Sequence, residues 1–95
     1  MTTVRFSRRG IREAREARDW LKERQPKTVD GFRVRLREAR NRLADFPRAG
    51  AASRQGTRRL PLSPYPYVLV YRLVAGDVEI VSVRHGRQRR GYPRP

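Results

Sequence analysis

From Val29 to Phe46 the apolar residues fall at Val29, Phe32, Leu36, Ala39, Leu43 and Phe46, alternating steps of three and four. That spacing keeps one face of an α-helix apolar along its whole length. Beyond residue 57 the period changes. Arg58 to Leu62 alternates, with Leu60 and Leu62 inward, and Pro61 and Pro64 suit a strand at an edge or an end. Tyr67 to Val74 is a continuous β-prone run, and Val78 to Arg84 is another, separated by Ala75-Gly76-Asp77. A Gly-Asp step between two such runs marks a hairpin. A chain that switches period in this way must pack a helical layer against a sheet.

The N-terminal part completes that layer. Val4 and Phe6 alternate as a short strand does, and Ser7 stands where a helix N-cap belongs. From Arg8 to Arg24 the stripe is Ile11, Ala14, Ala17 and Leu21, with Trp20 at its flank and opposite charges at helical spacing elsewhere. Proline pushes its preceding residue out of the helical region but suits a first helical turn, so Gln25-Pro26 ends this helix and starts the next. Pro47 stops the second, and residues 48–56 form a loop. Helices joined so tightly lie antiparallel. The expected fold is α+β: an N-terminal strand, then an antiparallel two-helix hairpin packed on one face of a mainly antiparallel sheet. Residues 1–90 form a single domain, and 91–95 a basic, proline-containing C-terminal tail.

Strand alternation puts Tyr67, Leu69, Tyr71, Leu73, Val78 and Ile80 on one sheet face. Val68, Val70, Val74, Val81 and Val83 take the other, with Arg72 and Glu79 among them. A two-residue turn at Ala75-Gly76 sets Arg72 opposite Glu79 as a cross-strand ion pair. One helical hairpin covers one face only, so the other is covered by something else or is a binding surface.

The 95 residues carry 24 basic side chains against 9 acidic ones, a net charge of +15. Only Lys22 and Lys27 are lysines. Such an excess suits a polyanionic partner, nucleic acid or an acidic protein, reached by steered association. Cysteine is absent, which excludes disulfides and thiolate metal sites, and one histidine leaves no basis for a zinc site. No cofactor motif stands out. The N-terminus lacks the apolar core of a signal peptide, and no apolar run approaches a membrane span, so a cytoplasmic protein is expected.

Several landmarks recur in a fixed order. They are Pro26 between the helices, Leu43-Ala44-Asp45-Phe46-Pro47 before a glycine, and Gly56-Thr57-Arg58-Arg59-Leu60. Tyr67 to Arg72 and Val78 to Arg87 follow. This ordered set resembles the RelE/ParE superfamily of type II toxin–antitoxin toxins from about Val4 to Arg90, and its proline-linked helices and Val-Arg-His-Gly-Arg ending look more like the ParE branch. The resemblance implies poisoning of DNA gyrase and neutralisation by a cognate antitoxin, acidic and encoded nearby, in a hetero-oligomeric complex. The alternative branch, RelE, implies a ribosome-dependent mRNA endoribonuclease. A basic nucleic-acid-binding module is a further alternative that charge alone supports.

RNA cleavage needs a base, cationic stabilisation of the phosphate and an acid. The nuclease reading would use His85 with Arg72, Arg84 and Arg87, and Tyr92 as a remote acid. Val68, however, stands where nuclease members often carry a basic residue. The gyrase reading assigns target binding to Arg84, His85, Arg87, Arg89 and Arg90, and no catalytic residue. Tyr67, Tyr71 and Arg72 are candidate antitoxin contacts, although strand periodicity favours a core role for the two tyrosines.

Overall fold

The computed structural model describes residues 2–86. Strand β1 (Val4–Phe6) leads into helix α1 (Arg8–Arg24), a single 3-10 turn (Pro26–Thr28) and helix α2 (Val29–Asp45). Strands β2 (Ala51–Ala52), β3 (Thr57–Pro61), β4 (Tyr67–Val74) and β5 (Asp77–His85) follow. The five strands form one sheet in the order β1-β5-β4-β3-β2, antiparallel except for the parallel β1–β5 pair. This is the α+β architecture expected from the sequence.

Local chemistry sets the helix limits. The Ser7 side chain accepts a 2.9 Å bond from the Gly10 N–H, satisfying one of the donors that a helix start leaves open. Lys22 and Arg24 lie in the last turn of α1, where the helix dipole favours cations. The buried face of α1 is Gly10, Ala17 and Leu21, with Ala14 half-buried. The stripe therefore starts one residue earlier than the apolar pattern indicates, and Ile11 is 41% exposed. The cause is a close approach of helix to strand: a Cβ on Gly10 would overlap the Ile80 carbonyl oxygen. On α2, Phe32, Ala39 and Leu43 are buried, while Val29 and Leu36 pack at the margin of the core. Phe46 leaves the stripe. It caps the helix at 61% exposure, with the Arg42 guanidinium 5.9 Å above its ring.

Both helices pack on the sheet face that carries Tyr67, Leu69, Tyr71, Val78 and Ile80. Tyr71 is fully buried. Its hydroxyl donates to the Pro47 carbonyl and accepts from the Gly50 N–H, each at 2.8 Å, so the sheet centre holds the loop that follows α2. The β4–β5 turn has Ala75 at φ 52° and Gly76 at φ 86°, left-handed at both central positions as a tight hairpin demands. Arg72 and Glu79 face each other across it and pair at 2.9 Å, as the turn length predicts.

One irregularity changes the faces. Val70 pairs with Ser82 and Tyr71 with Ile80, which leaves Val81 as an extra residue in β5. Such a bulge reverses the in–out alternation beyond it. Val83, expected on the face away from the helices, is therefore in the helix-side core beside Leu69. The strand also continues one residue beyond the expected Arg84, to His85.

Candidate functional site

The face opposite the helices carries an open cleft of about 730 Å³. Its floor includes Val70, Val81 and Ser82, and its walls carry four arginines, Arg9, Arg54, Arg59 and Arg84. Arg59 is opposite Val70 in the β3–β4 register, while the next residue, Leu60, turns inward opposite Leu69. Arg54 comes from the turn before β3, in which Gln55 has φ 55° and ψ 40° and Gly56 has φ 74°. A non-glycine residue in that region is strained, and such strain collects at sites where it fixes a functional shape.

The other wall is organised by Glu13. Beyond Phe6, β1 no longer pairs with β5, and α1 takes its place along that edge. The Ser7 N–H donates to the Ile80 carbonyl, and Glu13 Oε1 accepts from the Val83 N–H at 2.9 Å and from the Ser82 hydroxyl at 2.5 Å. Its other oxygen accepts from Arg9 Nε at 2.9 Å, and Arg84 Nε donates to Ser82 Oγ at 3.1 Å. One carboxylate thus satisfies the strand-edge donor and links two of the cleft arginines. Burial pushes the Glu13 pKa up, but the bonds from Ser82, Arg9 and Val83 and the Arg9 charge outweigh it, so the pKa lies below its ordinary 4.5.

The sign of the resulting pH dependence follows. A carboxylate with a lowered folded pKa adds stability that is whole above the ordinary value and is lost as pH falls through the folded one. The urea midpoint should therefore fall on acidification below about pH 4.5, and Glu13→Gln should flatten that fall. Parallel curves for the two proteins between neutral and acid pH would remove Glu13 from the account.

The candidate residues separate in space. His85 is on the helix side, edge-on to Trp20 at 5.3 Å and to Tyr67 at 5.1 Å between ring centres. It lines a second groove with Glu13, Glu16, Ala17, Trp20, Tyr67 and Val83. Arg84 is in the arginine cleft on the opposite side of the sheet. Arg72 is exposed at the hairpin end, bonded to Glu79. The nuclease set of His85, Arg72 and Arg84 is therefore not brought together, and the target-binding pair Arg84 and His85 is divided by the sheet. Arg87, Arg89, Arg90 and Tyr92 lie outside the described residues. Tyr67 and Tyr71 belong to the core, with Tyr71 offering no exposed surface to an antitoxin. Burial raises the Tyr67 pKa against the opposing charge of Arg24.

Arg9, Arg54 and Arg59 are the members that sequence reasoning missed. Arg59 had a signal, since its neighbours Leu60 and Leu62 are inward-facing and alternation sends it outward. Glu13 had only an i,i+4 partner in Arg9, whereas its decisive bonds are to Ser82 and Val83. Among the described residues no cluster of histidines and carboxylates is placed to hold a metal, and no helix is long and apolar enough to cross a membrane.

Comparison with known proteins agrees with this architecture. Toxin RelE2 of Caulobacter vibrioides is 31% identical over 85 residues, covering 90% of this chain and 96% of that protein. Toxin RelE1 of the same organism is 30% identical over 90 residues, covering 93% and 97%. A chain of the solved chromosomal ParDE TA system from P. aeruginosa superposes with a TM-score of 0.76 at 17% identity. It covers 90% of this chain and 96% of its own, and shows a shared fold. The profile of the family described as "ParE toxin of type II toxin-antitoxin system, parDE" matches residues 4–90. The chain belongs to that family of type II toxins.

Proposed function

We propose that this toxin acts by binding, as an inhibitor of DNA gyrase in the cytoplasm, and that a cognate acidic antitoxin neutralises it. Membership in a type II toxin–antitoxin family implies the antitoxin partner. The acting unit is a single domain over residues 1–90, with 91–95 outside it. The observation that carries the choice of binding over nuclease chemistry is the position of His85. General acid–base catalysis requires the proton-transferring group within hydrogen-bond reach of the phosphate that the cations hold. Here the sheet separates the imidazole from the arginine cleft, and the carboxylate that organises the wall of that cleft, Glu13, is already engaged by Ser82, Val83 and Arg9.

A gyrase supercoiling assay run beside a ribosome-dependent mRNA cleavage assay tests the reading. His85→Gln, checked for folding because the ring packs on Trp20 and Tyr67, is expected to retain inhibition within a few-fold. Replacing Arg84, Arg87, Arg89 and Arg90 together is expected to abolish it. A catalytic histidine contributes about 10²–10⁴-fold in rate and could not be removed so quietly. Codon-phased mRNA cuts that vanish with His85→Gln would overturn gyrase inhibition in favour of the endoribonuclease.

A further inference from the structure

We propose that the arginine cleft binds the phosphodiester backbone of a single-stranded nucleic acid and holds it uncut. This assigns the toxin a ligand in addition to the protein target proposed above: a failure of gyrase inhibition leaves it standing, whereas cutting of the strand does not. Four guanidinium groups line one open cavity, two on each side. Arg54 and Arg59 meet no carboxylate among the described residues, and Arg9 and Arg84 are held at the opposite wall through Glu13 and Ser82. Guanidinium forks match phosphate oxygens in geometry as well as charge.

The shape of the cleft selects among polyanions. Its floor is formed by β4 and β5, whose backbones already pair with each other there, so an extended acidic peptide finds no free strand edge to join. The apolar side chains in the floor are Val70 and Val81, too little to anchor an amphipathic helix. The cleft, about 730 Å³, lies open along the sheet face, so a sugar-phosphate strand can lie across it between the two pairs of arginines. Among the described residues no aromatic ring lines it to stack a base, so recognition should rest on the backbone and be indifferent to sequence. The imidazole lies across the sheet and Glu13 is held by Ser82, Val83 and Arg9, so among the described residues neither is placed to take the proton of a 2′-hydroxyl.

The experiment is fluorescence anisotropy with labelled ten-residue oligothymidine and oligouridine, titrated with the whole toxin at several salt concentrations. Comparing the two strands identifies which nucleic acid supplies the phosphodiester. Wild type is compared with Arg54→Gln/Arg59→Gln and with Arg33→Gln/Arg37→Gln, a control of equal charge loss on α2. Each single-strand phosphate contact contributes about 0.7 to the slope of log affinity against log salt. The cleft variant should therefore lose about 1.4 from that slope, or roughly 25-fold in affinity at about 0.1 M salt, while the control keeps the wild-type slope. In the wild type, amide shifts on strand addition should gather at residues 54–59 and 82–84, which tests the site without any variant. Equal weakening of both variants, shifts spread over the helices, no binding, or cutting of the oligouridine would each overturn the proposal.

Discussion

Phe32→Ala should lose about 3–5 kcal/mol of stability, the usual range for a fully buried aromatic ring truncated without collapse of its site. Phe32 is 1% exposed and is held between Tyr65 and Tyr67, with ring centres at 5.7 and 5.5 Å. It joins α2 to the sheet through rings that cannot follow it into the space it leaves. In a domain of this size, with total stability on the order of 5–15 kcal/mol, the loss should bring the urea midpoint close to unfolding. Leu36, on the same stripe but only half-buried, should lose less when truncated. A Phe32→Ala midpoint within experimental scatter of wild type would mean that α2 is seated by other contacts.

Gly10→Ala carries the second large effect, and its sign is the informative part. At an open helix position this substitution gains about 1 kcal/mol, because alanine is the better helix former. Here the added methyl would overlap the Ile80 carbonyl oxygen, a backbone atom that cannot swing aside. The helix must lift from β5 instead, and overpacking of this kind costs about 1–3 kcal/mol. Lifting also pulls Glu13 from Ser82 and Val83, so the Val83 amide should exchange its hydrogen faster. A Gly10→Ala protein that is more stable than wild type would show that α1 does not rest on that strand.

Period, caps and turn chemistry carried much of the fold. Ser7, Pro26 and Pro47 mark the helix ends, and the Ala75-Gly76 turn set Arg72 against Glu79, because each of these acts on its immediate neighbours in the chain. The misplacements have one physical origin, contact between segments far apart in sequence. Gly10 is buried where Ile11 was expected because of Ile80. Val83 and His85 are on the helix side because Val81 bulges where α1 replaces β1 along the edge of β5. A one-residue slip of this kind is invisible to alternation, yet it decides which face receives a histidine. Ordinary strand alternation divides Arg84 from His85, and the slip decides which of the two meets the helices.

The parallel pairing of β1 with β5 has a consequence for the toxin's synthesis. Val4 meets Val78, and the partners of Glu13 are about 70 residues further along the chain. A nascent chain folds from its N-terminus as it emerges, but contacts so distant in sequence must wait for both ends. While the ribosome is still extending the segment before Asp77, β1 has no strand to join and α1 has no sheet edge to cover. Arg9 is made early and Arg84 late, so the two walls of the cleft meet only when β5 emerges. A truncated translation product would carry the helices without this surface. The order of the elements thus leaves the sheet edge under α1 to be completed last, after both helices have been made.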